Sequence, residues 1–215
     1  ADLHAVSHAH SHPEADLHST ACFNRGLAYA ELGQHQRAIQ DYDQAIQLDP
    51  DDASAYYNRG IAYAKLAQHQ RAIQDYDQAI RLDPDDAARY YNRGISYAEL
   101  GQYQRAIQDY GKAIQFDPNL AAAYFNLGLA YGKLGQYQRV IQDYDQAIQL
   151  DPDFAYAYNS RAIAYSSLGQ HQRALEDFDR AVLLEPIADH YNNRGIAYFN
   201  LGKYAEADAD EAKAC

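Results

Sequence analysis

Carboxamide side chains recur at a regular interval in the sequence. They lie at intervals of 34 residues over most of the chain, and Ser160 interrupts the series: Asn24, Asn58, Asn92, Asn126 and Asn193. A carboxamide donates and accepts hydrogen bonds at once, so it can pair with a peptide backbone whatever the sequence of that peptide. The pattern predicts a row of contacts for another polypeptide. Hydrogen bonds between helices of the chain itself are the alternative use of these amides.

The amino-terminal residues 1–18 form a histidine-rich leader. His4, His8 and His12 are four residues apart and would share one face of a helix, a spacing that can ligate zinc or nickel. A solvated leader explains the same residues, so we expect no metal and keep these histidines as the candidates. Three further histidines fall on turns and are expected to be exposed: His35, His69 and His171.

Charged residues recur in the same register. In five copies an arginine stands directly before a small residue, and an aspartate follows sixteen positions later: Arg25 and Asp41, Arg59 and Asp75, Arg93 and Asp109, Arg161 and Asp177, Arg194 and Asp210. We predict a structural ion pair between helices in these copies. The fourth copy has Leu127 with Asp143 and should lack the pair. Because the aspartates recur through copying and do not converge on one site, we expect neither a catalytic centre nor a cofactor.

These columns require an element that repeats every 34 residues. Its first half carries a small residue in every copy, with aromatic residues four before it in most copies and tyrosine three after it, which is the spacing of one helix face. Its second half repeats the pattern of Ala38, Tyr42 and Ala45, and an Asp-Pro or Glu-Pro pair ends all but the last copy. The small residues of the first half are Gly26, Gly60, Gly94, Gly128, Ala162 and Gly195.

The predicted fold is all-α, a right-handed α-solenoid superhelix of stacked antiparallel helix pairs. One pair would not fold alone, because ordering its residues costs more free energy than its few buried side chains return. In the last repeat, Asp208 and Glu211 replace the apolar residues of earlier copies, so we expect a solubilising cap or a truncated repeat. The leader is followed by a solenoid over 19–215, with repeats at 19–52, 53–86, 87–120, 121–154, 155–187 and 188–215.

Small and aromatic residues in this arrangement resemble the tetratricopeptide repeat family, with tyrosine where the motif of that family often has tryptophan. The resemblance covers 19–215 and implies a concave face of first helices and a convex face of second helices. The asparagine column is similar to that of the O-linked N-acetylglucosamine transferase family, whose superhelical arm holds peptides by their backbone. The basic residues with which related domains clamp the carboxy terminus of chaperones are absent from the matching positions.

The resemblance and the asparagine column together predict a scaffold or adaptor, not an enzyme, that binds an extended peptide in its concave groove. A self-assembling array and the recognition arm of a larger enzyme stay open as alternatives. The isoleucines and leucine of the groove could instead pack between adjacent first helices. Besides the asparagines, the predicted groove residues are Tyr57, Ile61, Lys65, Tyr91, Ile95, Phe125, Leu129 and Lys133.

The expected partner is another polypeptide, or a second copy of the chain bound through the end faces or the leader, and composition argues against the other classes. The formal charge of −12 and a pI near 5.0 argue against nucleic acid, which requires a basic surface. No apolar run is long enough for a membrane span, and the amino terminus lacks the apolar centre of a signal peptide. We expect a cytoplasmic protein, or a periplasmic or secreted one if a signal was removed, with Cys22 and Cys215 as free thiols.

Overall fold

A computed structural model of the chain describes residues 13–215, and these residues form helices and turns without a strand. The prediction of an all-α fold is therefore confirmed. Odd-numbered helices are the first helices of the repeats and even-numbered ones the second. In chain order they are α1 (Pro13–Glu31), α2 (His35–Leu48), α3 (Ala53–Lys65), α4 (His69–Leu82), α5 (Ala87–Glu99), α6 (Tyr103–Phe116), α7 (Ala121–Lys133), α8 (Tyr137–Leu150), α9 (Ala155–Ser167), α10 (His171–Leu184), α11 (Ala188–Asn200) and α12 (Tyr204–Ala214).

The helices belong to two compact units, one ending at Ser96 and the other beginning at Tyr97. In the first unit, α1 pairs with α2 and α3 with α4, and α2 packs on α3. In the second unit the pairs are α7 with α8, α9 with α10 and α11 with α12, and each second helix packs on the first helix of the next repeat. Each unit is thus a stack of hairpins in which neighbours bury one another's faces. No helix within residues 13–215 is long and apolar enough to cross a bilayer.

Each hairpin turns within three residues, and one of these residues has a left-handed backbone. Gly33, Gly101, Gly135, Gly169 and Gly202 have φ angles of 71° to 75°. The second repeat has Ala67 at this position, with φ 56°, a conformation that costs about 1 kcal/mol for a residue with a Cβ atom. Glycine therefore occupies the left-handed position of the turn in five repeats, and in the second repeat an alanine adopts the same strained conformation.

The second helices end where the sequence places a proline. Asp49, Asp83, Asp117 and Asp151, each directly before a proline, have extended backbone angles. The proline ring disfavours helical angles for the residue before it, so the helix must stop there. The next helix is then started by a new cap: the carboxylate of Asp52 accepts hydrogen bonds from the backbone of Ser54 and Ala55 at 2.8 and 3.2 Å.

The core of a repeat is a tyrosine ring packed over a glycine. Tyr76 is 1% exposed, and a Cβ atom added to Gly60 would lie 2.7 Å from its Cε1 atom. Tyr42 and Tyr144 cover Gly26 and Gly128 in the same way, at 2.7 and 2.6 Å. The glycines seen in the sequence therefore mark positions where a helix backbone contacts an aromatic ring. The fifth repeat instead combines Ala162 with Phe178.

Candidate functional site

The asparagine column lies on the surface of the first helices. Asn24 is exposed, and Asn58, Asn92, Asn126 and Asn193 are half-buried. The leucine and isoleucine column and the two lysines lie on the same side of these helices. In each unit separately, we call the surface formed by these columns on the first helices the first-helix face.

The amides of this face are held by hydrogen bonds through their nitrogen atoms. Nδ2 of Asn58 donates to the Ser54 carbonyl at 2.9 Å. Nδ2 of Asn92 donates to the Ala88 carbonyl at 3.0 Å and to the Tyr57 hydroxyl of the preceding repeat at 2.7 Å. In the second unit, Nδ2 of Asn193 donates to Oδ1 of Asn159 at 3.1 Å.

These bonds determine which atoms of the two amides of the first unit, Asn58 and Asn92, can still form a hydrogen bond. Both protons of the Asn92 amide are used, whereas its Oδ1 atom and that of Asn58 accept no hydrogen bond within the described part of the chain. A bond to the carbonyl four residues earlier also fixes the side chain on the helix. The amides are therefore oriented acceptors, and the contact between helices that the sequence analysis gave as the alternative use is present at Asn92.

Aromatic rings form the floor of the face. Phe23 packs against Tyr42 and Tyr57 against Tyr76, both with ring centroids 5.9 Å apart, and Phe125 packs against Tyr144 at 5.4 Å. Burial raises the pKa of the Tyr57 hydroxyl, which also contacts Asn92. These rings rest on the second helices and support the face from below. Tyr91 is half-buried at the equivalent position of the third repeat.

The aliphatic residues of the face differ along the chain. Ile61 and Ile95 are half-buried, as packing between neighbouring first helices requires. Leu129, Ile163 and Ile196 of the second unit are 39%, 45% and 54% exposed. The alternative use as packing residues therefore describes the first unit better than the second. Lys65 and Lys133 are both exposed.

The predicted pairs between arginine and aspartate are present in four repeats. Arg59 donates from Nε and Nη2 to the two carboxylate oxygens of Asp75, at 2.8 and 2.7 Å. The same bidentate pair joins Arg25 to Asp41, Arg161 to Asp177 and Arg194 to Asp210. Burial raises the pKa of Asp75 despite the opposing hydrogen bond from Arg59. The prediction of a structural ion pair is thus confirmed in these copies.

Four arginines, from the second repeat onward, bind an aspartate of the preceding repeat, which the sequence analysis missed. Nη1 of Arg59 donates to Asp43 of the preceding repeat at 2.6 Å. Arg93, Arg161 and Arg194 bind Asp77, Asp145 and Asp179 in the same way, at 2.6 to 2.9 Å. The signal was available, because these aspartates stand fifteen or sixteen residues before their arginines. The arginine therefore ties neighbouring repeats together.

The fourth repeat lacks this bridge, as predicted. Leu127 replaces the arginine, and Gly111 replaces the aspartate that the arginine would bind in the preceding repeat. Asp143 remains, and its Oδ2 atom is buried without a hydrogen-bond partner. Burial raises the pKa of Asp143 to about 7, opposed only by the charge of Arg139.

The histidines differ from their expected exposure. His35, His69 and His171 are half-buried, and their Nδ1 atoms are shielded from solvent. The reason is visible at the equivalent Tyr137, whose ring packs against the buried residues of the hairpin. The prediction that these turn histidines are exposed is therefore wrong.

The metal candidates His4, His8 and His12 lie outside the described residues. Among the side chains of residues 16–215, no three His, Cys, Asp or Glu groups lie closely enough together to hold a metal ion. Cys22 is buried and Cys215 exposed, and both are free thiols, as expected.

Solved structures show the same fold. A MamA protein is 27% identical, with 78% of this chain and 92% of that chain covered and a TM-score of 0.74. YrrB, described as a TPR protein with an unusual peptide-binding site, is 22% identical over 89% of this chain and 94% of its own, with a TM-score of 0.72. PilF of Pseudomonas aeruginosa is 18% identical, with 92% of this chain and 90% of that chain covered and a TM-score of 0.79.

Family comparisons agree with this fold along the chain, while a comparison with curated protein sequences finds no match. One tetratricopeptide repeat model matches residues 53–86, 121–154 and 155–186, a second matches 75–108, and a third matches 187–215. A TPR repeat model matches residues 26–66 and 96–135. The chain therefore belongs to the tetratricopeptide repeat family.

Proposed function

We propose that the chain is a non-catalytic scaffold that holds an extended segment of another polypeptide on its first-helix face. The observation that carries this proposal is the state of Asn58 and Asn92. Their nitrogen atoms are bonded to the protein, while their Oδ1 atoms are unpaired at the surface. Such oxygens accept the backbone N–H groups of a guest and are indifferent to its side chains.

Helix spacing fits this use. Neighbouring packed helices are separated by about 9 to 10 Å, and an extended chain rises about 3.3 Å per residue. One amide therefore meets the guest about every third residue within a unit. At about 0.5 to 1.5 kcal/mol per hydrogen bond, several contacts together with apolar burial reach the roughly 8 kcal/mol of micromolar binding.

Charge and fold support the same choice of partner. The chain is acidic overall, with a formal charge of −12, yet Lys65 and Lys133 both stand on the first-helix face. An acidic or neutral guest suits this face better than a basic one. The likeness to YrrB, a TPR protein with an unusual peptide-binding site, concerns the fold and supports the same class of partner.

The test uses a random library of twelve-residue peptides displayed on phage and selected against the full chain. A selected peptide is then synthesised with a fluorescent label, and its affinity is measured by anisotropy. The double variant Asn58→Ala and Asn92→Ala should weaken binding about tenfold, because each lost hydrogen bond contributes about 0.5 to 1.5 kcal/mol. Methylating single backbone nitrogens of the peptide should weaken binding at every third position.

Asn119 provides a matched control. It is exposed in the turn before α7, away from the first-helix face, so Asn119→Ala should leave affinity unchanged. The thermal midpoints of all variants should stay within a few degrees of the parent. Equal affinity of the parent and the double variant for every selected peptide contradicts the proposed use of these amides.

A further inference from the structure

The second unit contains a pocket that opens on its first-helix face. It has a volume of about 260 Å³ and lies between α7, α8 and α9. Its walls are mainly apolar: Leu129, Tyr137, Val140, Tyr144, Ile163 and Ala164. A cavity of this size is smaller than the pockets that take drug-sized ligands, which begin at about 300 Å³.

At the corresponding place between the first two repeats, Leu27 and Ala30 pack against the buried residues Ala38, Tyr42 and Ala62. In the second unit the equivalent buried residues are Val140, Tyr144 and Ala164. Leu129 and Ile163 are 39% and 45% exposed, whereas their equivalents Leu27 and Ile61 are half-buried. The apolar side chains beside the pocket are therefore more open to solvent than those between the first two repeats.

Three small residues open the pocket. Gly132, Ser160 and Ser167 line the pocket, and the equivalent residues between the first two repeats are Ala30, Asn58 and Lys65. Each change shortens the side chain. The counterparts show which residues the fold tolerates at these places, which supplies substitutions that fill the pocket.

The serines of the pocket are already satisfied. The hydroxyl of Ser167 donates to the carbonyl of Ile163 at 2.9 Å, and Ser160 is hydrogen-bonded to Tyr144. The hydroxyl proton of Ser167 is therefore used within the chain, and the mainly apolar walls favour an apolar occupant, because a polar group would lose its hydration there. Lys133 is the charged residue of the lining, it is exposed, and no ion pair engages it within residues 13–215. Its charge favours a carboxylate beside that occupant.

We propose that the pocket receives one large apolar side chain of the guest peptide, of leucine or phenylalanine size, and that Lys133 binds an acidic residue next to it. This inference rests on the proposed function, because the occupant is part of a peptide held on the first-helix face of the second unit. It gives that face a preference for sequence. The guest is thus an acidic peptide with an apolar anchor.

The experiment fills the pocket without adding a carboxamide to the asparagine column. The double variant Gly132→Ala and Ser160→Val removes space, and the new methyl group at Gly132 is tolerated because its nearest neighbour outside the helix backbone, Cγ2 of Val140, lies 3.7 Å away. Phage-displayed peptides selected on the parent chain should share one large apolar residue flanked by Asp or Glu. Their affinity for the filled variant should fall at least tenfold. Replacing the apolar residue of the peptide by alanine should cause a similar loss on the parent and little further loss on the filled variant.

Two further variants complete the test. Gly111→Ala makes the same change in a helix of the same unit, with no atom within 4 Å of the new methyl group, and should leave peptide affinity unchanged. Lys133→Glu should convert the preference for an acidic neighbour into a preference for Lys or Arg.

The outcomes separate the two proposals. If selected peptides bind the parent and the filled variant equally, the pocket is not used, whereas the backbone-binding face can still stand through the Asn58 and Asn92 variants. If no peptide binds the parent chain, the proposed function fails and the pocket assignment fails with it. Peptides without a shared apolar position also contradict the pocket assignment.

Discussion

The second and fourth repeats carry the same core but differ in how it is held. Both place a buried tyrosine over a glycine, Tyr76 over Gly60 and Tyr144 over Gly128. In the second repeat Arg59 joins Asp43 and Asp75. The fourth repeat has lost the arginine and keeps an unpaired carboxyl at Asp143.

The difference shows that the core and the ion bridge are separable parts of the repeat. Small and aromatic residues alone are enough to form the hairpin of the fourth repeat, whose helices have the same bounds relative to the repeat as those of the second. The bridge instead ties a repeat to the one before it.

Breaking the bridge of the second repeat should have the largest effect. Arg59→Leu leaves Asp75, which is 5% exposed, without its cation, so we expect the free energy of unfolding to fall by about 3 kcal/mol. Urea unfolding followed by circular dichroism measures the change. Arg71→Leu removes an exposed arginine near Tyr63 and should cost less than about 1 kcal/mol. Equal losses in the two variants would mean that the bridge contributes nothing specific.

Restoring the bridge of the fourth repeat should have the opposite sign. Leu127→Arg gives Asp143 a partner and should raise the free energy of unfolding at pH 8 by about 1 to 2 kcal/mol, less than for a fully buried pair because the side chain is only partly shielded. Urea titrations at several pH values measure this gain.

The pH dependence follows from the raised pKa. The pKa of Asp143 is about 7 in the folded chain and near 4 in the unfolded chain, so between these values the folded chain binds the extra proton. The Asp143 carboxyl makes its full contribution to the free energy of unfolding below about pH 4, and this contribution is lost as the pH rises to about 7. The gain from Leu127→Arg should therefore be small at pH 4 and largest above pH 7. A gain that does not vary with pH would show that Asp143 is not its source.

The smallest effect concerns the turn of the second repeat. Ala67→Gly removes about 1 kcal/mol of strain at a left-handed alanine and should raise the free energy of unfolding by at most about 0.5 kcal/mol, because the greater entropy of glycine in the unfolded chain offsets the rest. The thermal midpoint measures it. Gly33→Ala makes the reverse change in the first repeat and should be destabilising. The same sign for both substitutions would contradict this account.

Much of the fold was predictable because it depends on periodic residues. The glycines, tyrosines and prolines specified the hairpins, and the recurring Arg59 and Asp75 specified an ion pair. The second partner of Arg59 and its equivalents was overlooked. The sequence offered a signal for it, because Gly111 and Leu127 replace the aspartate and the arginine together. The pocket was not predicted, because its volume depends on how the side chains of α7, α8 and α9 pack and not on the period of the repeat. The half-burial of His35 likewise depends on how the hairpin packs and not on the type of residue.

The contact between Gly60 and Tyr76 restricts how the repeat can vary. A methyl group at the glycine overlaps the ring, so that change alone is disfavoured in any repeat with this contact. The fifth repeat differs at both positions, with Ala162 and Phe178. Exchanges at these two sites are therefore expected to be epistatic, so that the outcome of one substitution depends on which residue already occupies the other.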